Sequence, residues 1–227
     1  MDTNGYDGPT LTVDGSSPVT ATTVKELVAL CDRVEDGDGT TVLIHVTGAP
    51  TVPVFPPDAG IALVTKWERA LRRLERLPAA TVAVAHGSCG GPALDAFLTA
   101  DLRIAAPGTV FWATPDAGSP WPGMAAFRLT RLVGLPHARR AVLLGEPITA
   151  AEAERTGLVD RITDDAVPSA LPGGTAGAEL AIARQLLFDA QSTSFEDALG
   201  AHLAACDRTL RQAATGPRPN PEQEPVR

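Results

Sequence analysis

The residues best suited to chemistry lie in the stretch 82–101, VAVAHGSCGGPALDAFLTAD. The apolar run Thr81–Ala85 predicts a buried strand. It breaks at Gly87, Ser88, Cys89, Gly90 and Gly91, where glycines permit left-handed conformations and a close backbone approach. Pro92 then stands where a first helical residue belongs, a place its fixed φ suits. The helix expected over Ala93–Thr99 is apolar nearly all round and should be buried, with Asp95 and Thr99 on one face. A carboxylate in the first turn of a buried helix has two readings. It is an acid favoured by the positive end of the helix, or it faces a pocket whose backbone N–H groups hold an oxyanion.

The elements that must position this stretch alternate between strand and helix. Thr10–Val13 reads as a strand closed by the Asp14-Gly15 turn, with Val19–Thr23 as a returning strand. Val24–Val34 has helical spacing, and the β-branched run Thr41–Val46 is a second strand. Four prolines exclude helix and central strand from Ala49–Gly60. Ile61–Leu77 is an amphipathic helix whose arginines, Arg69, Arg72, Arg73 and Arg76, have two readings: a site for phosphates, or a solvated face paired with Glu68 and Glu75. Downstream come strands at Leu102–Ala106 and Thr109–Trp112, then an irregular loop, Thr114–Gly123, that carries Asp116. Helices follow at Met124–Val133 and Pro136–Leu144. Thr149 and Glu152 form a capping box for a helix ending at Gly157, and Leu158–Ile162 is the last strand. Ala176–Ala190 and Ser194–Gln212 are helices, and the proline-rich residues 213–227 read as a disordered tail. The pattern is that of an α/β domain with a helical C-terminal part.

Bulk properties narrow the class. The chain has 227 residues, 44% of them hydrophobic, and a formal net charge of −8, which argues against nonspecific nucleic-acid binding. No run approaches the length of a membrane helix. No signal peptide is expected from the N-terminal stretch, and three widely spaced cysteines fit a reducing cytoplasm better than a disulfide framework or zinc site. His45 and His137 have no metal-ligand partner at useful spacing, so no metal is expected. His86 reads as a hydrogen-bonding group at a strand end, and Cys89 as a packing residue.

From about Thr10 to Gln212 the chain resembles the crotonase superfamily, the enoyl-CoA hydratase/isomerase fold. HGSCGGPALDAFLTAD resembles that family's Asn-Gly-x-Ala-x-Gly-Gly-Gly-x-Glu segment. TVFWATPDAGSPWPGMAAFRLTRLVG resembles its Phe-x-x-Pro-Glu, Pro-x-x-Gly and Leu-x-Arg-x-x-Gly run. AVLLGEPITAAEAERTGLVDRI is similar to its Leu-Thr-Gly…Ala-x-x-Ala-x-x-x-Gly-Leu-Val sequence. The resemblance implies a crotonase-type spiral of ββα units: a core over 1–145, a helical C-terminal and trimerisation part over 146–212, and the tail 213–227. It also implies a CoA thioester as substrate, no further cofactor, and a homotrimer or hexamer.

The same resemblance assigns roles residue by residue. Asp95 stands at the first catalytic glutamate and Asp116 at the second, a pair suited to hydration or dehydration; Asp116 alone is also an ordinary Pro-Asp loop turn. Pro92 occupies the glycine whose N–H serves the oxyanion hole, and proline has none; either Gly91 supplies the donor through a one-residue shift, or this donor is missing. The second donor falls in the proline-rich loop, nearest Val54 or Phe55. Trp112, Trp121 and Phe55 wall an acyl pocket in this reading; the tryptophans equally fit a core or a subunit interface. The shortened carboxylates and the proline-rich loop are most similar to the accessory hydratase branch of 3,5-dihydroxyphenylglycine biosynthesis, which acts beside a type III polyketide synthase. The competing class is a homologue that binds a CoA ester or the synthase without doing chemistry.

Overall fold

Runs of small and β-branched residues form a seven-stranded, mostly parallel sheet in the computed structural model, which describes residues 6–37, 41–51, 59–114, 123–164 and 177–215. The chain divides into two compact units, Met1–Ala181 and Ile182–Arg227. In the first, strands Thr10–Asp14 (β1), Thr41–Gly48 (β2), Ala80–Gly90 (β3) and Leu102–Ala105 (β4) lie side by side in chain order, each parallel to the last. Between them run the helices Ala21–Asp36 (α1), Ile61–Leu74 (α2) and Pro92–Phe97 (α3). Val110–Trp112 (β5) pairs with β3, and Ile148–Thr149 (β6) pairs antiparallel with β5. Arg161–Ile162 (β7) extends the sheet beyond β4. Helices Ala125–Leu143 (α4) and Ala150–Thr156 (α5) lie between these strands, α4 being interrupted at Gly134. The second unit holds the end of Gly177–Ala190 (α6) and all of Phe195–Thr215 (α7). This is the α/β arrangement of a crotonase-type fold, with a helical C-terminal segment.

Both faces of the sheet are dry, as a parallel sheet requires. On one face Val42, Ile44, Val46, Ala83 and Ala85 join the main core with Leu27, Leu71 and Phe97. On the other, Leu43, Val82, Val84 and Ile104 form a smaller cluster with Tyr6 and Leu102 packed against it. His45 lies on β2 between Leu43 and Thr47, and both its ring nitrogens are buried without a hydrogen-bond partner. Burial, then the neighbouring His86, holds its pKa below the usual histidine value.

Several expectations need correction. Val19–Thr23 is no strand: Thr20 caps α1, accepting from Thr23 N–H at 3.2 Å while its own N–H donates to Thr23 Oγ1 at 3.3 Å. Those hydroxyls favour a cap over the strand that β-branching suggests. The turn expected at Gly87–Gly91 is instead the second half of β3. Register jumps from Thr47 against His86 to Gly48 against Cys89, and beyond the bulge Ser88, Cys89 and Gly90 pair with Val110, Phe111 and Trp112. Gly87, at φ 64°, takes the bend that lets one strand serve two sets of neighbours. The last strand is shorter than expected because Leu158 and Val159 turn their amides back to the Ala153 carbonyl at the end of α5. α7 runs to Thr215, into the segment expected as tail, and residues 216–227 lie outside those described.

The carboxyl ends of β1, β2 and β3 meet through glycine. A Cβ on Gly15 would lie 2.2 Å from the Gly90 carbonyl oxygen and 2.3 Å from that of Gly48. Gly15 N–H donates to Thr47 O at 2.7 Å, and the Asp14 carboxylate accepts from Ser16 N–H at 2.8 Å, which fixes the turn. Gly15→Ala should therefore cost about 3 kcal/mol or more of stability, because the obstructing atoms are backbone and have nowhere to move; a urea midpoint within error of the parent would contradict this. His45→Leu should raise neutral-pH stability by about 1 kcal/mol, since it removes two unpaired polar atoms from an apolar face. Wild-type stability should also fall as pH drops below about 6.5, where the unfolded histidine takes up a proton that the folded one resists. That fall should be smaller in the variant, as read from urea titrations at pH 5.5 and 7.5.

Candidate active site

The glycine crossing places a cleft of about 270 Å³ at the strand ends, lined by Ala49, Pro50 and Thr51 after β2, Ser88 on β3, and Trp112 and Thr114 at and after β5. Gly90 packs closely against three of these residues: a Cβ there would lie 3.1 Å from Pro50 Cδ, 3.2 Å from the Trp112 carbonyl oxygen and 3.3 Å from Ala49 Cβ. Trp112, expected in the acyl pocket, thus lines this cleft. Thr51 leads directly into residues 52–58, which include Val54 and Phe55, and Thr114 into 115–122, which include Asp116 and Trp121. Those four lie outside the described residues.

Next to the cleft the chain turns sharply into α3. Gly91 is the N-cap at φ 52° and ψ −127°, a conformation that side chains rarely adopt. Pro92 is the first helical residue, where its missing N–H leaves no helical bond unmade. The Gly91 carbonyl accepts from Asp95 N–H at 2.9 Å, which starts the helix. All six residues of α3 are buried, and Phe97 stacks against Phe111 of β5 with ring centroids 4.8 Å apart.

Asp95 is completely buried. Its Oδ2 accepts a hydrogen bond from Trp67 Nε1 at 3.2 Å, across from α2. Among the described residues it does not line the cleft. Trp67 itself is 1% exposed. The sequence placed it in an apolar stripe and gave it no polar role. The available signal was its indole N–H, since a buried indole usually finds an acceptor.

The remaining candidates are structural. Cys89 is buried; its Sγ lies 3.6 Å from the Val46 carbonyl oxygen and 3.5 Å from that of His86, and burial pushes its pKa up to about 12, so it is no ready nucleophile. The His86 ring does not act as the expected hydrogen-bonding group at Nε2, which is buried and unpartnered; its carbonyl accepts from Thr47 Oγ1 at 3.0 Å instead. The arginine face of α2 is paired more widely than expected: Arg72 with Glu75, Arg73 with Asp32 and Glu35, while Glu68 turns to Arg128 of α4 at 2.8 Å. Arg103, which sequence reasoning passed over, is buried and donates to the Ala100 and Leu158 carbonyls at 2.8 Å each, tying β4 to the segment after α5. Among the described residues no group of three or more His, Cys, Asp or Glu side chains is placed to hold a metal ion. No described helix is long and apolar enough to cross a membrane.

Comparison with known proteins assigns the lineage. The enoyl-CoA hydratase/isomerase family model matches residues 62–171. A protein of Amycolatopsis orientalis named enoyl-CoA-hydratase is 50% identical over 213 residues, covering 90% of this chain and 97% of that protein. The chain belongs to the enoyl-CoA hydratase/isomerase family. It is an enzyme of that family's lyase type, with generic hydratase/isomerase-like activity. The fold agrees: an enoyl-CoA hydratase structure from Mycobacterium smegmatis superposes with a TM-score of 0.73 at 18% identity, covering 88% of this chain and 86% of that one. One from Thermoplasma volcanium superposes at 0.72 and 18% identity, with 88% and 89% covered.

The Trp67–Asp95 bond between α2 and α3 is open to direct measurement. Trp67→Phe should lower stability by about 1.5–3 kcal/mol, because it removes a donor from a buried carboxylate. In a double-mutant cycle with Asp95→Asn the two substitutions should couple by about 1 kcal/mol or more. Strict additivity in urea melts would mean that the two side chains do not interact in solution.

Proposed function

We propose that this enzyme dehydrates a β-hydroxyacyl or polyketide CoA thioester. In this reading one carboxylate of the Asp95 and Asp116 pair takes the α-proton and the other protonates the departing hydroxyl, releasing water. The thioester oxygen, negative in the enolate, accepts from the backbone N–H groups of Gly91 and Val54. Trp112, Trp121 and Phe55 wall the acyl group. The observation that carries the proposal is the cleft itself. Its described rim includes Trp112 and Ser88, three residues before Gly91, and the two segments holding the other candidates follow its rim residues Thr51 and Thr114 in the chain. We place the reaction beside a type III polyketide synthase, in forming 3,5-dihydroxyphenylacetyl-CoA for glycopeptide-antibiotic synthesis. The shortened carboxylates and the proline-rich replacement loop support that placement.

A second reading, in which this dehydration is not its reaction and its part beside the synthase is to hold a CoA ester or the synthase itself, is supported by two observations: Asp95 is buried against Trp67, and Pro92 has no N–H to give. The assembly proposed with either reading is a homotrimer or hexamer. Its support is α7, which exposes Phe195, Leu199, Leu203 and Leu210 along one helix.

Asp116→Asn should lower aromatic product formation by about 10²- to 10⁴-fold when the protein is combined with its cognate synthase and malonyl-CoA, the range expected for loss of a positioned acid or base. CoA-ester affinity, measured by calorimetry, should change little. Pro92→Gly should not abolish activity: it adds an amide, and where Gly91 already serves, the added backbone freedom should cost under about tenfold in rate. Full activity in both Asp116→Asn and Asp95→Asn would leave the binding reading standing and remove the catalytic one.

A further inference from the structure

A second concavity, of about 610 Å³, lies between α2 and the start of α4 and shares no lining residue with the cleft. Its walls are apolar and unusually open to solvent: Ile61 is 78% exposed, Met124 43% and Phe127 49%. Its charges are cationic in balance. Arg69, Arg72 and Arg128 face Glu68 and Glu75, and each glutamate is already held, Glu75 by Arg72 and Glu68 by Arg128. Arg69 is exposed and makes no ion pair among the described residues.

Arg128 is the deeper feature. It is 7% exposed, its Nη2 donates to Glu68 Oε2 at 2.8 Å, and its Nη1 is buried with no hydrogen-bond partner. Glu68 Oε1 meanwhile accepts from Met124 N–H at 2.7 Å, so that carboxylate is fully engaged and does not swing across to Nη1. A guanidinium left half-paired in a buried position calls for a further acceptor. The planar fork of arginine is best met by a carboxylate.

From this pairing of charge and apolar wall we propose that the α2–α4 groove binds a small organic acid, with its carboxylate toward Arg128 and Arg69 and its apolar body along Ile61, Val64, Met124 and Phe127. The volume lies within the range of small-molecule sites. A bare inorganic anion would leave the apolar walls wet, and a neutral apolar molecule would leave the arginines unanswered.

The test uses the full chain and three probes in calorimetry: hexanoate, hexanol and inorganic phosphate. Hexanoate should bind with a dissociation constant of about 1 mM, as expected for a ligand of eight heavy atoms, and hexanol and phosphate at least about tenfold more weakly, the loss expected when one charge-assisted contact or the apolar contact is missing. Arg128 also supports the fold through Glu68, so the variants are placed on the exposed wall. Thr65→Glu sets a tethered carboxylate into the groove and should abolish hexanoate binding, while Thr65→Ala leaves it unchanged. Arg69→Gln should weaken hexanoate several-fold and leave hexanol unaffected. Equal binding of hexanoate and hexanol, equal binding of hexanoate and phosphate, absence of hexanoate binding, or indifference to Thr65→Glu would each overturn the proposal.

Discussion

Everything near the cleft depends on three backbones being allowed to touch. Gly15, Gly48 and Gly90 end three successive strands, and the carbonyl oxygens of the latter two sit where a side chain on the first would begin. Gly48 is equally constrained, at φ 83° with Asp14 Oδ1 only 2.1 Å from its would-be Cβ. Because no side chains separate them, the segments leaving β2 and β3 start from nearly one point. The described part of the cleft is therefore set by the sheet. The strained N-cap at Gly91 belongs to the same economy. It reverses the chain within one residue, so α3 packs directly behind the strand ends.

The interior behind the cleft is polar at one well-defined place. Asp95 lies in an all-buried helix, and its Oδ2 accepts from the indole of Trp67. Removing a carboxylate from water is costly unless hydrogen bonds replace the lost hydration, so α2 and α3 are held in register by chemistry as well as by apolar packing. Arg103 does the same work from β4, where it donates to the Leu158 carbonyl after α5 and to the Ala100 carbonyl after α3. In both places a buried polar side chain joins elements distant in sequence, which apolar contacts alone would specify less sharply.

Much of this was legible in the residues. The strands Thr10–Asp14 and Thr41–Gly48, the amphipathic α2, the cap at Thr149 and the left-handed Gly157 follow from periodicity and local capping chemistry. Trp112, which reads equally as a pocket wall or as a core or interface residue, lines the cleft. What escaped depends on partners far away in the chain. The second half of β3 carries Gly-Ser-Cys-Gly and looks like a turn until Val110–Trp112 arrives to pair with it. Val19–Thr23 has the composition of a strand, and only the geometry of the Thr20 and Thr23 hydroxyls makes it a helix start. Trp67 was counted among the apolar residues because its acceptor is 28 positions away.

The order of the strands carries a consequence for the birth of the molecule. β2 pairs with β1, β3 with β2, β4 and β5 with β3, β6 with β5, and β7 with β4. Every strand after β1 thus docks on one synthesised before it. Parallel pairings are separated by long crossovers and are slow to find from a fully released chain. Here the growing polypeptide offers each new strand a template as it leaves the ribosome, so the sheet can extend at the pace of translation. The bend at Gly87 then decides where the template forks, sending β4 to one half of β3 and β5 to the other.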